Sequence, residues 1–380
     1  MQRARSDAGS AYQYRYFGGF RLMLAMLVML QHFAADLAPM PLALAMAPFA
    51  AGSMAVRVFF ALSGFVITEA VDCVYRDRPG AFLANRLLRI GPHFVLAVAL
   101  SMLAHEFFRL AGGEHLWRSQ PDFPPDAFAI NNVLLNFLGI IPGADHRISY
   151  NFLDITWAVR VEMAFYLAMF GCVAIGRRLS SPRGFARLAC GLSVLLLPAF
   201  WYASQGRGVT TLAHMPFFVF GSALYFATRG SRAGWLITAL SVPGILWQYW
   251  CYQARAVSWQ GLPSSPIGNL VILAVLLGIM TILAFVRIDR GRGADQVMGN
   301  LTYPLYLYHE VVLIVLVTLI PNYSYSLFAT GIVLSFAVAG VLMALVDPVV
   351  TFYRDLVRGR SLRRLSTAVT ATAMGAVERT

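Results

Sequence analysis

Ten runs of apolar residues divide this chain into segments that could each cross a bilayer, and they constrain its fold more than any other feature. Each run has about 17 to 25 residues, the length at which an α-helix spans the hydrocarbon core with its backbone hydrogen bonds satisfied internally. Hydrophobic residues make up 58% of the 380 residues and charged residues only 13%, which is too apolar for a soluble domain. We therefore predict an all-α integral membrane protein with ten transmembrane helices, centred near Val28, Phe60, Ala99, Ala164, Leu195, Val219, Ser241, Leu276, Ile314 and Phe336.

Arginines fall mainly in alternate connecting segments and so set the predicted orientation. Arg3, Arg5 and Arg15 precede the first span, whereas the following loop, residues 35–47, has no basic residue. Because positive residues stay on the cytoplasmic side, the N-terminus is predicted to be cytoplasmic. The basic C-terminal tail is then cytoplasmic too, which requires an even number of spans. This alternation explains the net charge of +12 without nucleic-acid binding, and cleavage of the first span as a signal peptide would break it.

The same patterns divide the chain into three parts. These are a cytoplasmic N-terminal segment (1–16), a transmembrane domain (17–346) and a basic cytoplasmic tail (347–380). The longest outer segment, 112–151, holds an apolar stretch at 127–141 that three asparagines interrupt. This stretch is short and polar for a span, so a re-entrant or interfacial helix is predicted there.

Arg21 and His32 are ionisable residues inside the first apolar run, where a bilayer makes charge costly. Eleven residues at about 100° each amount to three turns plus about 20°, so both side chains lie on one helix face, roughly 16 Å apart along the axis. A functional site is one interpretation of this pair. The other is a snorkelling Arg21 at the membrane surface and a His32 that only hydrogen-bonds a neighbouring helix.

Two further segments carry polar or small residues, one at the predicted cytoplasmic surface and one within an apolar span. Arg86 and Arg89 lie three apart on one helix face at the predicted cytoplasmic surface, a spacing that suits either a phosphate group or anionic lipid. Ser63 and Gly64 lie within an aromatic run and favour a close helix crossing over catalysis. The four cysteines have no metal-ligand spacing, so no metal site is predicted.

Carboxylate and imidazole groups in two later spans complete the set of candidate site residues. Glu162 and Tyr166 are four apart and therefore neighbours on one helix face, and Glu162 needs a partner on another helix. Counted from the ends of their spans, His32, Glu162 and His309 all fall near the middle of the membrane. Three titratable groups at one level suggest a site, although structural hydrogen bonding would account equally well for Glu162 and His309.

Together these segments resemble the membrane-bound acyltransferase family 3, whose members O-acylate polysaccharides, lipopolysaccharide, peptidoglycan and some antibiotics. The resemblance covers roughly residues 17–346. It rests on five motifs in family order: Arg21 with His32, FFALSGF (59–65), Arg86 and Arg89 before Pro92, Trp157 with Glu162, Phe165 and Tyr166, and YPLYLYH (303–309).

The resemblance implies an O-acyltransferase that moves an acyl group, expected to be acetyl, from acyl-CoA to a hydroxyl of a cell-envelope or exported saccharide. It implies that His32 is essential, either as a general base or as a covalent acyl carrier. Glu162 and His309 are the other candidate catalytic residues. The expected residues for binding acyl-CoA and substrate are Arg21, Arg86, Arg89, Ser63, Trp157, Tyr166 and Tyr303.

The expected surroundings follow from the same resemblance. No permanently bound cofactor is expected, since acetyl-CoA is a donor substrate. The expected location is the bacterial cytoplasmic (inner) membrane, with the bilayer, a saccharide acceptor and polysaccharide-assembly proteins as partners. The outer segment 112–151 is the expected acceptor contact. Two alternatives stay open: acylation of a small secondary metabolite, and a transporter or flippase that uses the same intramembrane groups.

Overall fold

A computed structural model of the chain describes residues 15–75, 78–111, 124–144, 147–176, 210–253, 264–286, 291–320 and 322–358. Within these ranges the regular structure is helical and contains no strand. It includes a π-helical turn (Val71–Tyr75) and a 3-10 turn (Thr210–His214) besides the α-helices. The helices are α1 (Gly18–Asp36), α2 (Met40–Met46), α3 (Ala51–Ala70), α4 (Pro79–Leu110), α5 (Ile130–Phe137), α6 (Thr156–Gly176), α7 (Met215–Thr228), α8 (Arg232–Gln253), α9 (Pro266–Phe285), α10 (Arg292–Leu319) and α11 (Tyr325–Arg358).

Eight helical stretches in the described part of the chain are long and apolar enough to cross a membrane. They contain eight of the ten predicted centres. The centre near Ser241 lies in α8, which has 22 residues but carries tryptophan, tyrosine and glutamine where a span usually has aliphatic residues. The centre near Leu195 lies outside the described residues. The all-helical membrane architecture is therefore confirmed, and the count of ten and the cytoplasmic termini stay predictions.

Two helices have ends that differ from the limits read from the sequence. Within the apolar stretch at 127–141, the helix α5 has only 8 residues. That length rises about 12 Å, too little to cross a bilayer, in agreement with the expectation of a helix that does not span. At the other end of the domain, α11 continues past residue 346 to Arg358. The first part of the predicted tail is therefore the last turns of a helix.

Five helices surround a common space. α1 contacts α3 and α10, α4 contacts α10 and α6, and α6 contacts α3, so these helices close a ring. Helices α1 and α10 run parallel in one register, because the contacting residues are 277 apart in sequence both near their N-termini and fourteen residues further on. This register brings motifs from the two ends of the chain side by side.

The N-terminus of α1 is tied down by residues far away in sequence. Asp295 accepts hydrogen bonds from the backbone N–H groups of Gly18 (3.1 Å) and Gly19 (2.9 Å), which satisfies two donors that α1 cannot pair by itself. A side chain at Gly18 would collide with the backbone carbonyl of Asp295. Just before the helix, Arg15 forms a buried ion pair with Glu69 and bonds Thr228 at 3.1 Å.

Helices α3 and α7 cross at two glycines. A Cβ at Gly64 would meet the carbonyl oxygen of Phe218, and a Cβ at Gly221 would meet that of Ala61. The close-crossing interpretation is therefore confirmed for Gly64. Its neighbour Ser63 points instead toward α6, where it bonds Glu162.

Candidate active site

The five-helix ring encloses a pocket that collects most of the residues predicted from sequence. Its lining includes side chains from all five helices. Those among the sequence-predicted residues are Arg21 on α1, Ser63 on α3, Arg86 and Arg89 on α4, Glu162 and Tyr166 on α6, and Tyr303 on α10. The segments that carry them are separated by up to 282 positions in the chain, so the tertiary packing assembles this pocket.

Glu162 is held by two hydroxyl groups. Ser63 Oγ donates to its Oε1 at 2.7 Å, and Tyr166 OH donates to the same atom at 2.5 Å. Ser63 thus supplies the partner on another helix that the depth of Glu162 required. With two donors on one oxygen, the carboxylate has a defined orientation inside the pocket.

Three arginines make the pocket strongly basic. Arg21 lies close enough to Arg86, Arg89 and Glu162 for their charges to interact. Arg86 is buried, its guanidinium carbon lies 5.8 Å from the Tyr166 ring centre, and its Nε has no hydrogen-bond partner. Glu162 is the one carboxylate among the described residues that line the pocket. A buried, unpaired donor in a pocket of net positive charge suits an anionic ligand such as phosphate.

A second cluster lies further along α1, where His32 meets His309. The Nε2 atom of His309 is 3.2 Å from Nδ1 of His32, and Nδ1 of His309 lies 3.2 Å from the carbonyl oxygen of Leu305. His309 is fully buried, whereas 26% of the His32 side chain is exposed. Of the two imidazoles, His32 is therefore the one that a substrate can reach.

The hydrogen bond to Leu305 decides the tautomers, since a carbonyl oxygen can only accept. His309 must carry its proton on Nδ1, and with both rings neutral its Nε2 accepts a hydrogen bond from His32. The proton of His32 then lies on Nδ1, which leaves a lone pair on its Nε2. A neutral imidazole in this state can take a proton from a hydroxyl group or attack a carbonyl carbon.

Glu310 is a residue of this cluster that the sequence reasoning missed. Its Oε1 lies 3.8 Å from Nδ1 of His32, and its side chain is buried. The backbone N–H groups of Asp154 and Ile155 hydrogen-bond the carboxylate, and Asp154 also interacts electrostatically with His32. The signal was present in the sequence, because Glu310 directly follows His309 in an apolar run. Only the packing shows that it faces His32.

The structure separates the three groups that were expected at one level. His32 and His309 are in contact, but Glu162 shares its pocket with Arg21, which lies three turns away from His32 on α1. The expectation of a single cluster was wrong because it counted depth from uncertain span ends. Two aromatic rings connect the clusters: Phe59 lines the pocket, and its ring centre is 6.4 Å from Tyr306, which is 6.3 Å from His309.

Trp157 takes part in neither cluster. It is 38% exposed, and its ring packs 5.5 Å from His214 and 6.1 Å from Phe60, measured between ring centres. Its role in substrate binding stays a prediction.

The residues that form both clusters lie within the match to a known protein family. A family model described as "Acyltransferase domain", of the third acyltransferase type, matches residues 14–346. The chain belongs to the membrane-bound acyltransferase family 3. Searches of curated proteins and of solved structures found no match. The family 3 match covers every helix of the ring, so the arginine pocket and the histidine pair both belong to a multi-pass membrane acyltransferase.

Proposed function

We propose that this family 3 protein transfers an acyl group, in the first instance acetyl, from acyl-CoA to a hydroxyl of a saccharide, with His32 as the general base. One observation carries this proposal: His309 holds the Nδ1 side of His32, which directs a free Nε2 lone pair away from the pair. His32 is also on the same helix face as Arg21, so base and arginine pocket are aligned along α1.

The arginine pocket is the proposed site for the phosphates of acyl-CoA. Arg21, Arg86 and Arg89 offer planar donor groups that match phosphate oxygens in geometry and charge. The pantetheine arm would then run along α1 toward His32, over an axial distance of roughly 16 Å. Phe59 and Tyr306 lie along this path and would contact the apolar part of the arm.

The proposed chemical step balances without a further reactant. The hydroxyl oxygen of the acceptor forms a bond to the acyl carbon as its proton moves to Nε2 of His32. The carbon–sulfur bond of the thioester breaks, and the departing thiolate takes up that proton to give CoA. Glu310 would stabilise the transient imidazolium charge, because its carboxylate faces Nδ1 of His32. His309 would keep the ring in the productive tautomer.

The remaining predicted residues receive supporting roles in this proposal. Glu162 would hold the pocket arginines apart and oriented, with Ser63 and Tyr166 fixing its carboxylate. Tyr303 donates to the carbonyl of Ile90 at 3.2 Å and so braces α10 against α4. Trp157 and the outer segment 112–151 are proposed acceptor contacts. The envelope or exported saccharide, the inner membrane and the assembly partners rest on the family resemblance.

A genetic experiment tests the proposal with the native acceptor. The gene is deleted in the bacterium, and base-labile acyl esters on surface and secreted glycans are compared after complementation. Wild-type protein should restore the esters, and His32→Gln, which keeps a polar side chain of similar size, should not. Equal restoration by both would remove His32 from the mechanism. Protein levels and thermal stability in membranes serve as the folding control.

A biochemical experiment separates the proposed enzyme from its alternatives. Full-length protein in nanodiscs is incubated with acetyl-CoA labelled in the acetyl group. Transfer to an added glycan supports the enzyme, whereas substrate accumulation in vesicles without modification would support a transporter. A label on the protein that appears without acceptor, is absent in His32→Gln and is discharged by added acceptor would show that Nε2 of His32 attacks the thioester itself.

A further inference from the structure

The last turns of α11 lie against the first turns of α4, the helix that contributes Arg86 and Arg89 to the arginine pocket. Arg78 donates to the carbonyl oxygen of Val357 at 2.9 Å, and further along the two helices His93 lies 3.0 Å from Asp347. The helices are therefore antiparallel here. Arg86 and Arg89 fall between these contacts on α4, as Arg354 does on α11.

Arg354 adds a positive charge to a group of arginines at the contact of α4 and α11. It is half-buried and lies close enough to Arg89, Arg86 and Arg358 for repulsion among their guanidinium groups. Its Nε is buried without a hydrogen-bond partner, as is the Nε of Arg86. Like charges packed together around unsatisfied donors are costly unless an anion completes the site.

We propose that Arg354 binds the 3′-phosphate of the acyl-CoA donor. This inference rests on the proposed function and extends it to a residue beyond the family match, which ends at residue 346. The thioester must point toward His32, so the nucleotide end of the donor stays at the opposite end of the pocket. Arg354 lies at that end, next to Arg89, which lines the pocket. A phosphate monoester matches its planar donor group.

Anionic lipid is the other source of phosphate at this position. Juxtamembrane arginines attract such headgroups in many membrane proteins. The two sources differ in one chemical respect, because only CoA carries a 3′-phosphate that can be removed without changing the rest of the molecule. Binding to CoA and to 3′-dephospho-CoA therefore separates them.

The test measures the affinity of full-length protein in phosphatidylcholine nanodiscs for both compounds by calorimetry. Arg354→Gln should weaken CoA binding about tenfold, the factor for one partly exposed charge-assisted hydrogen bond. Its affinity for 3′-dephospho-CoA should match that of the wild type. Arg232→Gln, an exposed arginine at the start of α8, is the matched control and should bind both compounds normally.

Each other result has a definite meaning. Unchanged CoA affinity in Arg354→Gln, or equal weakening for both compounds, overturns the assignment of Arg354 to the 3′-phosphate. Reduced phosphatidylglycerol binding in mixed nanodiscs with normal CoA affinity assigns Arg354 to lipid. A wild-type protein that binds neither compound contradicts the proposed donor itself. If Arg354→Gln is unstable, Arg354→Lys keeps the charge, and a selective loss of CoA affinity in that variant supports the proposal.

Discussion

At the scale of single residues, two imidazoles of the same chemical type have different environments. His309 is enclosed and donates to a helix carbonyl, while His32 keeps part of its ring accessible. The buried ring fixes the proton position of the accessible one, which is the arrangement that a general base requires. Glu310 adds a carboxylate to the same side of His32, held by two backbone N–H groups.

The variant Glu310→Gln tests the importance of that carboxylate. The side-chain oxygen of the introduced glutamine can still accept from the N–H groups of Asp154 and Ile155, but no carboxyl group remains beside Nδ1 of His32 to carry the negative charge that opposes an imidazolium. We expect kcat for acetyl transfer to fall about 100-fold, because the imidazolium is no longer stabilised. The KM for acetyl-CoA should stay near the wild-type value, since the arginine pocket is intact.

The control for this variant is Glu106→Gln. Glu106 pairs with Arg109 on the partly exposed end of α4, away from both clusters, so its substitution should leave kcat unchanged. A Glu310→Gln enzyme with normal kcat would mean that Glu310 serves only to hold the loop before α6.

At the scale of elements, the short helix α5 organises the chain that leads into α6. Asn136 donates to the carbonyl of Tyr150 at 2.9 Å and accepts from the N–H of Phe152 at 3.0 Å. Asn132 donates to the same carbonyl at 3.0 Å. These asparagines interrupt the apolar pattern because they satisfy backbone groups of a buried loop. That loop places Asp154 and Ile155 against Glu310.

The variant Asn136→Leu should therefore affect both stability and catalysis. Leucine has a similar volume but removes the acceptor of the Phe152 N–H and one of the two asparagine donors to the Tyr150 carbonyl, which costs about 1–3 kcal/mol. We expect the melting temperature to fall by about 5 °C or more and kcat to fall with it, as measured by thermal unfolding in detergent and by acetyl transfer.

Asn131→Leu is the matched control, because Asn131 lies on the same helix and is exposed. It should melt and turn over like the wild type. If both asparagine variants behaved alike, the hydrogen bonds of Asn136 would not be what holds the loop.

At the scale of the whole molecule, the arrangement of charge and apolar surface agrees with a membrane protein that has a basic end. The arginines at 78, 86, 89, 354 and 358 cluster where α4 begins and α11 ends. Large apolar side chains are exposed along the outer helices α9 and α11, among them Ile267, Ile282, Val333 and Leu345. Lipid tails are the natural environment for such a surface.

Reporter fusions test the predicted topology. Green fluorescent protein fused after Thr380 should fluoresce, because the positive-inside rule places the C-terminus in the cytoplasm. Alkaline phosphatase should be inactive there and active when inserted within 112–123. An active phosphatase at the C-terminus would contradict the predicted topology, because ten spans after a cytoplasmic N-terminus end in the cytoplasm.

Several properties of this protein follow from the sequence by itself. Apolar run length is local information, so eight of the ten predicted centres fall in helices that are long and apolar enough to cross a membrane. The 3.6-residue period put Arg21 and His32 on one face of α1, and the motif order identified the family. Each of these depends on residues near one another in the chain, or on a pattern that needs no knowledge of contacts.

Only the tertiary structure decided which polar groups meet. The contact of His32 with His309 and that of Ser63 with Glu162 join residues 277 and 99 positions apart, and helix packing alone sets their register. Membrane depth counted along the sequence grouped Glu162 with the histidines and did not identify Glu310. A shift of one residue turns a helical side chain by about 100°, so depth alone does not give the direction in which a side chain points. The packing of the five helices against one another fixes that rotation, and so separates the arginine pocket from the histidine pair.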